Sequence, residues 1–171
     1  MEESRDPIVD AHEFRRVLGS FATGVVIVSA LDQTTPHCMT ANAFVSVSLD
    51  PPLVLVSVDR RSRMHQILPR AGAYGVSVLA RDQEPLSRHF GGRPQDDLEV
   101  SFRWEDGLPL VEGAIAHLTC RLVDIHPAGD HTLFIGRVRH LSSSAHQPPL
   151  LFHAGRYKML EVQPLDFDFW W

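Results

Sequence analysis

The sequence predicts a mostly β, antiparallel fold, closed into a barrel and carrying a few short helices. Three observations point there. Short runs rich in β-branched residues recur at residues 24–30, 44–49, 53–58, 73–79, 114–125 and 132–141. Turn-forming residues separate most of them in hairpin order, without the regular alternation of strand and helix that builds parallel sheets. Finally, no G-x-G-x-x-G turn and no P-loop follows any of these runs, which argues against a doubly wound nucleotide fold.

The elements follow in order. Residues 10–20 (DAHEFRRVLGS) fit a short amphipathic helix. Asp10 can cap it, Glu13 stands three residues on in capping-box spacing, and Phe14, Val17 and Leu18 share a face; Gly19 ends it. Residues 24–30 form a strand, and the turn residues 32–36 (DQTTP) lead it as a hairpin into residues 36–58, around which the chain is organised. There, Phe44, Ser46 and Ser48 alternate with Val45, Val47 and Leu49, the pattern of a half-buried strand. Beyond Asp50-Pro51-Pro52, residues 53–58 are continuously apolar as far as Ser57 and read as a strand buried on both faces.

Residues 62–70 suit a short helix with Met64, Ile67 and Leu68 inside, closed by Pro69 and Gly72. A strand at 73–79 and a second short helix at 83–90 come next, the helix stopped by Gly91-Gly92-Arg93-Pro94. Residues 94–113 read as a loop around Phe102 and Trp104. Two long strands, 114–125 and 132–141, reverse at Pro127-Ala128-Gly129-Asp130; residues 148–152 and 157–162 add a last short pair. The count is about six or seven strands and two or three short helices, in one domain at 12–162. An extension at 1–11 and an aromatic tail at 163–171 flank it; four aromatics in the last five residues lead us to expect that the tail docks on the body or on a second subunit.

A chain of 171 residues, 44% hydrophobic and 22% charged, has an ordinary globular composition. Its net charge of −5 argues against nucleic acid or an anionic membrane as a partner. The polar N-terminus has no signal-peptide core, and no apolar run approaches the ~18 residues of a membrane span, so a cytoplasmic location is expected. Cys38 and Cys120 fit neither a disulfide framework nor a metal knuckle, and the ten histidines contain no H-x-x-x-H pair; no metal is expected.

Two segments have the chemistry of a binding site. Thr40-Ala41-Asn42-Ala43 is a strip of small residues whose main-chain N–H groups can meet a phosphate or a heteroaromatic ring. Residues 57–63 leave a strand and enter a helix, where Ser57, Asp59, Ser62 and Arg63 surround a helix mouth suited to an anion. If both serve one ligand, strip and mouth must face the same cleft, within or between subunits.

The run MTANAF-x-SVSLDPPL-x-LVSV resembles the signature of the flavin reductase family, the small NAD(P)H:flavin oxidoreductases that supply reduced flavin to partner monooxygenases. Phe21-Ala22-Thr23-Gly24-Val25-Val26-Ile27-Val28, Gly129-Asp130-His131 and Gly155-Arg156-Tyr157 extend the resemblance over roughly residues 12–160. It implies an FMN-binding split barrel, homodimeric, taking FMN or FAD with NADH or NADPH and serving a separate monooxygenase. It further implies that Thr40, Ala41, Asn42 and Ala43 line the flavin. Phe90 covers part of it, and His131, Arg156 and Tyr157 lie near the nicotinamide dinucleotide. His131 there can hydrogen-bond the carboxamide or shuttle a proton. Cys38 stands where the family usually has glycine, and Ala43 where serine is common. Two other readings are a module that holds FMN tightly, as an enzyme on another substrate or as a carrier, and a structural barrel whose pocket has lapsed.

Overall fold

The computed structural model describes residues 9–144 and 147–160. The aromatic tail, and the last residues of the strand expected at 157–162, lie outside them. Twelve strands and three short helices are present among the described residues, more strands than expected because several are short.

Helix α1 (Ala11–Leu18) forms where the local signals place it. Asp10 Oδ1 accepts from the His12 and Glu13 amides at 3.0 and 2.9 Å, while the Glu13 carboxylate pairs with Arg16 instead of closing a capping box. None of its residues is buried. Strands β1 (Thr23–Gly24), β2 (Val26–Asp32), β3 (Thr35–Ala41), β4 (Phe44–Leu49) and β5 (Pro52–Asp59) follow, then helix α2 (Arg63–Ala71). Ser62 caps α2, and Gly72 ends it at φ 64°, a left-handed turn that glycine adopts at no steric cost. Strand β6 (Ala73–Val78), a 3₁₀ turn (Arg81–Gln83), helix α3 (Glu84–Phe90) and strands β7 (Phe102–Glu105) and β8 (Leu108–Val111) come next. Two long strands, β9 (Ala116–Ala128) and β10 (His131–Ser143), and the short pair β11 (Leu150–His153) and β12 (Arg156–Met159) complete the chain.

Seven strands form one antiparallel sheet in the order β3-β2-β6-β9-β10-β5-β4; β1-β11-β12 and the β7-β8 hairpin form two smaller sheets. The class is the one expected, but main-chain pairing does not close the large sheet: β3 and β4 are its two edges. Side chains close it instead. Val26, Val28 and Ala30 of β2 meet Val54, Val56 and Val58 of β5 in one core, although three strands separate β2 from β5 in the sheet. Met64, Ile67 and Leu68 of α2 belong to the same core, each 1% exposed or less.

The opposite face of β2 is covered too. Val25 and Ile27 join Leu79, Val111 and Leu150 in a second core. β2 is thus buried on both faces, whereas β5 buries only Val54, Val56 and Val58 and leaves Leu53, Leu55 and Ser57 half-exposed. β4 corrects the expectation further, since Val45, Val47 and Leu49 are 53, 47 and 95% exposed within the single chain.

Residues 94–113 are not one loop. The hairpin β7-β8 turns at Asp106-Gly107, whose φ values of 50° and 74° are those of a tight hairpin turn, and all four residues of β8 are buried. Ser29 Oγ donates to the Pro109 carbonyl, and the Val111 amide donates to Ser77 Oγ at 2.9 Å, so the hairpin is fastened across β2 and β6.

The core has little spare room at Gly136 of β10. A Cβ there would fall on the Tyr74 hydroxyl and within 2.8 Å of Cys120 Cβ, atoms of two fully packed side chains. Gly136→Ala is therefore expected to destabilise the fold by roughly 1–3 kcal/mol, read as a lower midpoint in urea unfolding at unchanged slope. A wild-type midpoint would show that the sheet yields at this position. Among the described residues, no helix is long and apolar enough to cross a membrane.

Candidate functional site

The C-terminal end of β3, helix α3 and the β11–β12 turn converge on a cleft of about 590 Å³. One wall is Thr40-Ala41-Asn42, whose small side chains leave the backbone approachable. Helix α3 forms the second wall with Ser87, Arg88 and Gly91; Thr40 Oγ1 donates to the Ser87 carbonyl at 2.7 Å and ties the two together. A Cβ at Gly91 would press on the Ser87 carbonyl of its own helix at 2.8 Å, so a glycine fits the tight end of α3. The third wall is Phe152 with Gly155-Arg156-Tyr157. Ala154 and Gly155 take φ values of 50° and 75° in the turn, and the Ala154 amide donates to the Gly19 carbonyl at 2.8 Å, which anchors the turn to the end of α1.

Tyr157 is held from three sides. Its hydroxyl hydrogen-bonds Ser87 Oγ at 2.8 Å, the Arg88 guanidinium lies 4.9 Å from its ring centroid, and Phe152 packs edge-on at 5.4 Å. Arg88 is itself fixed by Glu84, one helical turn earlier, with Nε at 2.7 Å from the carboxylate.

A second groove, of about 820 Å³, adjoins the first and shares Asn42, Phe152 and Gly155 with it. Its lining is mainly apolar, with Phe14, Leu18 and Phe21 from the α1 segment facing Ala43, Phe44 and Val45. Asn42 stands between the two.

Of the residues singled out in the sequence, Thr40, Ala41, Asn42, Arg156 and Tyr157 share the cleft, and Ala43 lines the adjoining groove. Phe90 packs on the second core, as Tyr157 does, with its ring edge-on to His89 at 4.8 Å. The others gather where β5 leaves the sheet. His131 lies opposite Asp59 in the β10–β5 register, and its Nδ1 is 2.7 Å from Asp130 Oδ1. Arg61 holds the Asp59 carboxyl far below the usual carboxylate range, and the His131 ring lowers that of Asp130. Ser62 Oγ accepts from the His65 amide at 3.2 Å as the cap of α2. Arg63 turns to Asp32 at 2.8 Å, which lowers that carboxyl in turn.

Within one chain, neither the cleft nor the adjoining groove is lined by any of this second group. The outer face of β5 runs between the two groups: the Ser57 amide donates to the Ala43 carbonyl at 3.1 Å, and Asp59 follows two residues later on the same face.

Sequence reasoning did not pick out Glu84, Ser87, Arg88 and Arg93. The Glu84–Arg88 spacing and the Gly91-Gly92 stop were visible signals of a paired helix with close backbone approach, but nothing local connected them to Tyr157. Cys38 packs on the second core, and burial pushes its thiol up to about 12, so this departure from the family's usual glycine is an inert packed thiol at neutral pH.

Residues 18–161 match the flavin reductase like domain. Among curated relatives, an NADH-dependent flavin reductase of a Rhodococcus species is 50% identical over 165 residues, covering 94% of this chain and 93% of the relative. The reductase subunit HsaB of a flavin-dependent monooxygenase from Rhodococcus jostii (strain RHA1) is 37% identical, covering 90% and 80% respectively. Among solved structures, the flavin reductase PheA2 in its native state superposes with a TM-score of 0.87 at 41% identity, over 90% of this chain and 100% of that one.

Proposed function

The chain belongs to the flavin reductase like domain family, and from that premise we infer that it uses NADH or NADPH to reduce FMN or FAD and supplies the reduced flavin to a separate monooxygenase. One observation of the site carries this reading. The small-residue strip Thr40-Ala41-Asn42 faces Tyr157 and a set of guanidinium groups across one cleft. Its volume lies within the range usual for cofactor sites. The donor set also fits a flavin and a nicotinamide: exposed main chain and a carboxamide for a heteroaromatic ring, an aromatic face for stacking, and cations for phosphate. When bound, flavin supplies the redox chemistry itself by accepting hydride from the nicotinamide.

The chain's own part is to bind and orient. Asn42 and the main chain of residues 40–43 hold the ring, and Phe90 supports the wall behind it. Arg156 and Tyr157 receive the nicotinamide dinucleotide. His131, steadied by Asp130, positions the carboxamide or carries a proton, while Ser57, Asp59, Ser62 and Arg63 form the phosphate side. A homodimer completes this arrangement. The outer apolar face of α1 and β4 has no cover among the described residues, Phe14 and Leu18 being 55 and 54% exposed, and a second copy would cover it beside both groups of residues.

The test is direct. Purified protein mixed with NADH and an excess of FMN or FAD should consume the nicotinamide in proportion to added enzyme. No consumption with either flavin and either nicotinamide overturns the reading. Protein that keeps a yellow flavin through gel filtration, yet turns over no free flavin, is instead a tightly loaded flavoprotein.

A further inference from the structure

We propose that Arg93 and Arg156 form an anion clamp in the cleft and that it grips the diphosphate bridge of a dinucleotide. The inference rests on the reductase reading for the ligand's class and adds the group recognised and a residue, Arg93, that the sequence alone does not single out. Three guanidinium groups, Arg88, Arg93 and Arg156, line the cleft against one carboxylate, Glu84. The site thus carries a net of two positive charges in a chain whose formal charge is −5. Glu84 does not neutralise the set evenly. It is bonded to Arg88, which lies over the Tyr157 ring as part of the wall. Arg93 and Arg156 have no carboxylate partner among the described residues, and both are exposed.

Both are set in place by backbone geometry. Gly92 turns at φ 90°, and the Arg93 amide donates to the Arg88 carbonyl at 3.0 Å, so the chain doubles back onto the end of α3. Arg156 is the first residue after the Ala154-Gly155 turn, which is anchored to Gly19. Each guanidinium can present a planar fork of donors, and two forks at one cleft suit a bridge that carries two anionic phosphates. The diphosphate could belong to the nicotinamide dinucleotide or to FAD. The chemistry recognised is the same.

Two kinds of measurement on the whole protein test this. The first is direct binding of ADP-ribose, which contains the diphosphate but neither nicotinamide nor flavin. Wild type should bind it, each of Arg93→Gln and Arg156→Gln should weaken binding about tenfold, and the double variant should lose it. The second is steady-state kinetics. A raised KM for NADH at unchanged kcat, with no effect on a phosphate-free N-benzyl dihydronicotinamide, assigns the clamp to the nicotinamide dinucleotide. A raised KM for FAD but not FMN assigns it to the flavin. Either supports the clamp. The double Arg→Lys variant, which keeps the charge, guards against misfolding and should recover part of the affinity. Unchanged ADP-ribose binding, a loss confined to NADPH, or an equal loss with the phosphate-free donor overturns the proposal. Wild-type turnover with unchanged ADP-ribose binding in the variants removes the clamp and leaves the reductase reading standing. No turnover, with binding that depends on the two arginines, does the reverse.

Discussion

Val45→Glu is expected to convert a dimer into a monomer and to reduce flavin reduction more than tenfold. Val45 lies on β4, an edge of the seven-stranded sheet; Val47 and Leu49 of the same strand are exposed too, and the α1 side chains Phe14 and Leu18 lie across the adjoining groove. If a second copy covers this surface, the substitution places a carboxylate in a mainly apolar contact, where Arg15 is the one cation in the groove's lining, and association is lost before the charge is buried. The fold itself has little to lose, because Val45 is 53% exposed in the single chain. Sedimentation at matched concentration, beside a circular dichroism spectrum, separates assembly from folding. A wild type that sediments as a monomer removes the dimer from the reading, as does a variant that remains dimeric and fully active.

The second large effect is expected at Tyr157. Tyr157→Ala removes the ring that Ser87, Arg88 and Phe152 hold against the cleft, and kcat/KM for the nicotinamide should fall by roughly 10–100-fold, the scale of a lost stacking face with its hydrogen bond. Tyr157→Phe keeps the ring and gives up only the Ser87 bond, so its loss should stay within about tenfold. Equal losses in the two variants would mean that the hydroxyl and not the ring is what matters. No loss in either would remove Tyr157 from the site. Because the side chain is half-buried against the second core, a melting curve for each variant is part of the measurement.

What could be read from the sequence is what local chemistry decides. Asp10 and Ser62 cap their helices, Gly72 ends α2, and Met64, Ile67 and Leu68 fall inward, because each depends on neighbours within a few residues. The β7-β8 hairpin was hidden by its proline and acidic residues, although Asp106-Gly107 is a strong hairpin signal. Alternation in β4 predicted that Val45, Val47 and Leu49 share a face, but a bulge between Ser46 and Ser48 shifts the register, and period two signals neither a bulge nor what lies against a face. The cleft was half legible. Residues 40–42 stood out by type and 156–157 through the family resemblance, whereas Ser87 and Arg88 gain their meaning from a tyrosine about seventy positions away in the chain. No periodicity carries information over that separation.

The bracing of Tyr157 bears on how quickly a visitor can be received. Its hydroxyl and its ring find their partners within the chain itself, so the rotamer entropy of that side chain is surrendered during folding and not at the moment of encounter. A receptor stiffened in advance has no slow isomerisation to complete before capture. Stopped-flow mixing should therefore show one phase, its rate rising linearly with ligand concentration and without a plateau.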